Sequence, residues 1–229
     1  MFRRRNRKQD EVAPDRAEAV ETTEAGEPAV PVHGPWDVGA VPDDGVERID
    51  LGALRVPTPE GAELRLEADD AGQITTVLLV AADSALQLGV FAAPRNEGIW
   101  DEVREEIVTG IASEGGTARD VEGIHGTELH ADLATPEGRQ RVRFVGYDGP
   151  RWFVRGVFTG AAGRDEAAAG LLTDALRGVV VVRGDEAMPV RDPLPLQLPR
   201  EVVESQHAAE EEQKRLTLPE RGPEITELR

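Results

Sequence analysis

The chain contains no cysteine and almost no lysine, and each shortage excludes a class of function. Without cysteine there is no disulfide framework, thiolate zinc site, iron–sulfur cluster or cysteine nucleophile. Lysine occurs only at Lys8 and Lys214, and the net charge is -18. A surface this acidic repels phosphate backbones and anionic lipids, so we expect general nucleic-acid binding to be disfavoured.

Long hydrophobic runs are also missing. No segment approaches the roughly 20 apolar residues that a membrane-spanning helix needs. The basic residues 1–8 resemble the start of a signal peptide, but Gln9, Asp10 and Glu11 follow where an apolar stretch is required. The sequence therefore predicts a cytoplasmic protein without a membrane span.

Composition divides the 229 residues into three segments. Residues 1–45 combine a basic tip with many acids and few apolar residues, so we predict an acidic, disordered N-terminal arm. Residues 46–184 are patterned like one packed domain, although they hold 23 Asp and Glu against 14 Arg. Residues 185–229 are predicted to form a proline-rich strap followed by a charged C-terminal tail.

The middle segment predicts an α+β domain with a mostly antiparallel sheet. Alternating apolar residues and β-branched runs indicate strands, and tight connections between them indicate hairpins. Apolar residues at helical spacing predict two amphipathic helices, one from Ile99 to Ile111 and one over 165–177 with Asp165 as its N-cap. We expect these helices to cover sheet faces in a layered sandwich. The predicted strands are 48–56, 63–68, 74–80, 85–92, 117–124, 127–133, 140–145, 151–158 and 179–182, with a tight hairpin over 146–150.

Two histidines and a glutamate lie close together in the sequence. His125 and His130 flank Glu128, but five residues of spacing at a turn between strands predict that the two histidines point to opposite faces. No metal site is therefore predicted, and no serine, glycine or carboxylate motif indicates a catalytic or cofactor site. A pocket near His125, Glu128 and the arginines is the basis of an alternative hypothesis, a small-ligand protein or an unrecognised hydrolase.

Five arginines form the one positive concentration of the predicted domain. Arg139, Arg141 and Arg143 alternate along one strand and so share a face, and Arg151 and Arg155 follow on the next strand. Planar guanidinium groups suit carboxylates and phosphates, which makes these residues a candidate anion or partner patch. The competing interpretation is pairing with Asp and Glu on neighbouring strands, and the surplus of acids favours it.

Each arm holds one candidate for an interaction. Trp36 is a candidate anchor of the N-terminal arm, because a tryptophan in such a segment is expected to dock on a surface. The candidate interaction tail at the other end comprises Arg221, Gly222, Pro223, Glu224 and Ile225.

Several spaced segments together resemble a known family. They are Gly34-Pro35-Trp36-Asp37, Phe91 to Pro94, Glu97 to Trp100, Phe144 to Phe153, Val179 to Gly184, Arg191-Asp192-Pro193 and Arg221 to Glu227. On these residues the chain resembles an uncharacterised actinobacterial family, domain of unknown function 3710. The resemblance implies no catalytic residue. The order of predicted elements is also similar, at fold level, to the layered sandwiches of the Mog1 and PsbP type.

These observations favour a non-enzymatic, cytoplasmic protein-interaction module without a cofactor. We expect its partner to be another protein, whose identity the sequence does not indicate, and it does not indicate the oligomeric state either. The alternatives are a binding protein for a small ligand (an anion or a nucleotide), an unrecognised hydrolase, and a weak nucleic-acid-associated protein that uses the basic tip.

Overall fold

The computed structural model describes residues 33–199. Within that range, eleven strands, two α-helices and a short 3-10 turn over Ala167–Ala169 follow one another along the chain. In chain order the elements are β1 (Trp36–Asp37), β2 (Arg48–Asp50), β3 (Leu54–Pro57), β4 (Glu63–Ala68), β5 (Ile74–Ala81), β6 (Ser84–Ala92), α1 (Trp100–Ser113), β7 (Thr117–Gly123), β8 (Gly126–Thr135), β9 (Gly138–Gly149), β10 (Trp152–Gly160), α2 (Gly170–Arg177) and β11 (Val180–Val181).

The strands form two sheets. The larger sheet has seven antiparallel strands in the order β4-β5-β6-β10-β9-β8-β7, and the smaller has four in the order β1-β11-β3-β2. The pair β1–β11 is parallel, whereas β11–β3 and β2–β3 are antiparallel. The predicted α+β class with a mostly antiparallel sheet is therefore confirmed.

Local chemistry explains why neighbouring strands of the large sheet form hairpins. Between β4 and β5, the Asp69 carboxylate accepts the backbone N–H groups of Ala71 and Gln73, at 2.9 and 2.8 Å. Gly72 has a φ of +79°, a conformation that costs little only without a Cβ atom. These contacts fix the register that places Ile74 and Val77 in the core.

Helix α1 begins at a carboxylate supplied by a strand. The side chain of Asp148 on β9 accepts the backbone N–H groups of Ile99 at 2.8 Å and Trp100 at 3.3 Å. A carboxylate satisfies donors that the helix itself leaves free, and its charge complements the helix dipole. The helix ends at Ser113, followed by Gly115 with a φ of +79°.

Four predicted boundaries differ from the structure. The predicted strand 48–56 is two strands, because Gly52 (φ +80°) turns the chain between β2 and β3. The predicted hairpin 146–150 is mostly strand: β9 continues to Gly149, and the turn lies at Pro150-Arg151. The predicted helix 165–177 begins as the 3-10 turn, so Asp165 caps Ala167 rather than α2. The predicted strand 179–182 is the two-residue β11.

Alternate residues of the central strands β9 and β10 enter different hydrophobic clusters. Val145 and Val154 belong to the largest cluster, which also contains Leu172 and Leu176 of α2 and the buried residues of β3. Phe144 and Phe153 pack instead with Trp100 of α1. The large sheet is thus apolar on both sides at its centre, as its near-continuous hydrophobic strands require.

Candidate functional site

A group of polar side chains lies beside the turn between β7 and β8. We call His125, Glu128, His130, Arg143 and Tyr147 the His125 cluster. Glu128 is 0 % exposed and Arg143 2 %, and their closest charged atoms, Oε2 and Nη1, lie 3.5 Å apart. Glu128 Oε1 accepts the backbone N–H of His125 at 3.3 Å, and Oε2 lies 3.4 Å from His130 Nε2. The buried carboxylate therefore has a counter-charge and further polar contacts.

The sequence near the turn makes room for this carboxylate. A Cβ atom at Gly123 would lie 2.3 Å from Oε1 of Glu128, so any other residue at that position would displace this carboxylate. Gly126 has a φ of +78° and reverses the chain into β8. Strand pairing then sets His130 directly opposite Arg143, on the same face as Glu128.

Burial controls the protonation of the two ring groups in the cluster. Burial, with smaller effects of the Arg143 and Arg177 guanidinium groups, lowers the pKa of His125 to about 4. Burial also raises the pKa of Tyr147 to about 12. At neutral pH a neutral imidazole therefore contacts a protonated phenol, through Nδ1 of His125 and the Tyr147 hydroxyl.

The structure corrects the expectation that His125 and His130 point to opposite faces. His125 lies in the turn, where strand alternation does not apply, and its ring stacks on Phe158 with centroids 5.8 Å apart. Phe158 lies opposite Arg143 in the sheet, so both histidines are on one side. No three His, Asp or Glu side chains within residues 33–199 are placed to hold a metal ion.

The five arginines of the candidate patch are not brought together. Arg141 pairs with Asp132 at 2.9 Å, Arg143 with Glu128, and Arg139 is exposed on the same face. Arg151 is in the turn after β9, with a φ of +66°, and donates to the carbonyl of Gly184. Arg155 lies on the opposite face of the sheet, because it stands across from Gly146 rather than from Val145. Whether any of these residues binds an anion or a partner stays a prediction.

Arg155 instead faces a cavity of about 160 Å³ between α1, the large sheet and the strap. We call this cavity the Arg155 pocket. Its apolar walls are Phe91, Ile99, Val103 and Phe153, and Glu106 and Arg191 complete the lining. The Arg155 guanidinium lies 5.4 Å from the centroid of the Phe91 ring. Burial lowers the pKa of Arg155.

Both ends of the described chain dock on the domain by backbone hydrogen bonds. Trp36, the candidate anchor, donates its N–H to Val179 at 2.8 Å and is half-buried in β1. At the other end, Leu194 is 3 % exposed and donates its N–H to Val90 of β6 at 3.0 Å. The candidate tail from Arg221 to Ile225 lies outside the described residues.

Several residues of these two sites were not identified from the sequence. Tyr147 and Asp148 were assigned to a hairpin turn, although strand alternation continues through them to Gly149. Gly89 and Gly146 flank Arg155 on the neighbouring strands. Glycine inside a strand indicates close approach of another group, and that signal marks the Arg155 pocket.

Comparison with known proteins adds a family and a distant structural similarity. The family described as "Protein of unknown function (DUF3710)" matches residues 34–205. No curated protein matches the chain. The fold is similar to the solution structure of cyanobacterial PsbP (CyanoP) from Synechocystis sp. PCC 6803, with 12 % identity and a TM-score of 0.36, over 65 % of this chain and 100 % of that one.

None of the helices described in residues 33–199 is long and apolar enough to cross a membrane. The family match includes the N-terminal docking segment, both sheets and the strap. It covers well over half of the sequence, and the chain therefore belongs to the DUF3710 family.

Proposed function

We propose that this chain is a non-enzymatic protein-interaction module of the cytoplasm, which presents its C-terminal tail to a partner protein. The observation that supports this proposal is the docking of the strap. Leu194 is buried in the core, Leu196 pairs with Gly52, and Gln197 donates its N–H to Leu51 at 2.9 Å. The tail therefore starts from a fixed point on the domain.

A fixed starting point favours recognition by the tail. Attachment through residue 197 keeps the following residues near the domain, so a partner that contacts both the domain and the tail would gain affinity from the raised effective concentration. The net charge of -18 favours a partner with a basic surface, because opposite charges accelerate the encounter.

We also propose that the two helices cover opposite faces of the large sheet in a layered sandwich. The division of β9 and β10 between two hydrophobic clusters supports this arrangement, since Phe144 packs with Trp100 of α1 and Val145 with the cluster of Leu176. Alternate residues of a strand point to opposite faces.

Truncation tests the proposed function. The full chain and a chain ending at Pro199 are each used to capture partners from native extract, and a captured protein is then purified and titrated with both chains. We expect stoichiometric binding by the full chain and loss of binding by the truncated one.

A scrambled tail is the matched control. Reordering Arg221 to Ile225 keeps composition and charge, so a loss of affinity equal to that of truncation assigns recognition to the order of these residues. Equal affinity of the full and truncated chains for the purified partner would contradict the proposal.

A further inference from the structure

We propose that the Arg155 pocket binds a small organic monocarboxylate, with its carboxylate on the Arg155 guanidinium and a short apolar group against the aromatic walls. This inference is independent of the tail and of the proposed partner protein. It rests on an unpaired charge, a vacant space beside that charge, and the chemistry of the surrounding side chains.

The charge of Arg155 has no partner among residues 33–199. The guanidinium makes no hydrogen bond or ion pair there, and its Nε atom is buried without any acceptor. Seven of the fifteen arginines in residues 33–199 pair with a carboxylate, Arg141 and Arg143 among them. Arg155 is half-buried, and taking part of a guanidinium out of water without an acceptor carries a cost that a bound carboxylate would offset.

The strands on both sides of Arg155 leave space around it. Its cross-strand neighbours are Gly89 on β6 and Gly146 on β9. A Cβ atom at Gly146 would lie 2.3 Å from the Trp100 ring, and one at Gly89 would lie 2.9 Å from the Phe91 ring. The two glycines let the rings of Phe91 and Trp100 lie close to the sheet, and the Phe91 ring contacts the Arg155 guanidinium.

The walls of the pocket select an apolar substituent of limited size. The rings of Phe91 and Phe153 lie with centroids 6.2 Å apart, and Ile99 and Val103 close the side formed by α1. A cavity of about 160 Å³ is smaller than the roughly 300–1,000 Å³ of sites for drug-sized molecules. A short branched acid or a single-ring acid therefore suits the space.

The charged rim leaves Arg155 available to a ligand. Arg191 on the strap binds Glu102 at 2.6 Å and also binds Glu106, one turn further along α1. The glutamate that lines the pocket is thereby held by Arg191 and not by Arg155. Strap and helix thus both contribute side chains to the lining of the pocket.

The donor set fits a carboxylate better than a phosphate. One guanidinium offers two parallel N–H groups, which match the two oxygens of a carboxylate. A phosphate dianion needs more donors, and the other cation of the pocket, Arg191, is already paired with two glutamates.

Titration of the full chain with defined probes tests this inference. The probes are isobutyrate and benzoate, with isobutyramide and inorganic phosphate for comparison, monitored by calorimetry and by amide NMR shifts. We expect saturable one-to-one binding of at least one carboxylate, with shifts at Phe91, Val103 and Phe153. The uncharged amide should bind at least about tenfold more weakly, because it lacks the charge that pairs with the guanidinium.

Three variants assign the binding to the pocket. R155Q should weaken the carboxylate at least about tenfold, and V103F should weaken it by filling the apolar wall. R139Q removes an exposed arginine from the other face and should leave affinity unchanged. Thermal unfolding of each variant shows whether it is folded.

Any one of four results would overturn the inference. The first three are no saturable binding of either acid, equal binding of acid and amide, and unchanged affinity in folded R155Q. Phosphate binding stronger than that of both acids would also overturn it.

Discussion

Arg143 and Arg155 lie on neighbouring strands of one sheet but on opposite faces, and they differ in burial and in counter-charge, although each keeps a buried guanidinium nitrogen without a hydrogen-bond acceptor. Both guanidinium groups lie over a phenylalanine ring, at 4.7 Å from the Phe158 centroid and 5.4 Å from that of Phe91. Arg143 also has the buried carboxylate of Glu128 at 3.5 Å, whereas Arg155 forms no ion pair within the described residues. An aromatic ring can position a guanidinium, but it does not replace the counter-charge.

This contrast separates a structural ion pair from a candidate binding site. In the His125 cluster the charge is balanced by residues of the chain itself, so the cluster contributes to the folded state. In the Arg155 pocket no ion pair balances the charge, and we expect an apolar residue at this position to leave stability unchanged or to raise it. Such unfavourable local arrangements are typical of sites that bind a ligand.

The largest expected effect comes from removing the counter-charge of Arg143. E128Q leaves a buried guanidinium without a charge partner and should lower the free energy of unfolding by about 3–5 kcal/mol. Urea unfolding measures this loss. D132N, which breaks the exposed pair with Arg141, is the matched control and should cost far less. Equal losses of stability in E128Q and D132N would show that the buried Glu128–Arg143 pair contributes no more to the free energy of unfolding than an exposed pair.

The next effect is a pH dependence that belongs to the His125 cluster. The pKa of His125 is lowered from 6.5 to about 4 in the folded chain. As the pH falls, the imidazole is therefore protonated in the unfolded chain before it is protonated in the folded chain. Stability should therefore fall as the pH falls from about 6.5 to about 4, by on the order of 3 kcal/mol, and should not change from this residue above pH 6.5. Urea unfolding across this range measures how the free energy of unfolding changes with pH. H125Q should make this dependence weaker, whereas H33Q, at an exposed position, should leave it unchanged. An unchanged dependence in H125Q would contradict the assignment to His125.

A smaller effect concerns the packing beside the Arg155 pocket. G146A would place a Cβ atom 2.3 Å from the Trp100 ring, which is itself held by a 2.7 Å hydrogen bond to Thr127. We expect a loss of about 1–3 kcal/mol in urea unfolding. G110A is the control, because no atom lies within 4 Å of its Cβ position in α1 and alanine favours the helix. It should gain about 0.5–1 kcal/mol, and a loss in G110A would show that the helix is under strain.

The sequence predicts local structure well where one pattern acts alone. Period-two alternation gave β4, and the helical spacing of apolar residues gave α1, within one or two residues of the structure. Prediction from the sequence failed where contacts with a distant part of the chain determine the local structure. The extension of β9 through Tyr147 and Asp148 depends on pairing with β10 and on the N-terminus of α1, which residues 146–150 do not reveal by themselves.

The sites were harder to predict than the strands, for a related reason. Alternation correctly placed Arg139, Arg141 and Arg143 on one face, but the register of β9 against β10 puts Arg155 on the other. The partners of Arg143 and Arg191 come from Glu128 on β8 and from Glu102 and Glu106 on α1. Register and docking of the strap are set by the whole fold, so composition alone does not show which arginines lack an acid.

Replacement of each arginine by methionine compares the two environments most directly. In urea unfolding, R143M should lose as much stability as E128Q, because it leaves the Glu128 carboxylate buried alone. R155M should lose nothing or become more stable, since it removes an unpaired charge and keeps the apolar contact with Phe91. Similar losses in both variants, or a larger loss in R155M, would contradict the claim that Arg143 stabilises the fold and Arg155 is kept for a ligand.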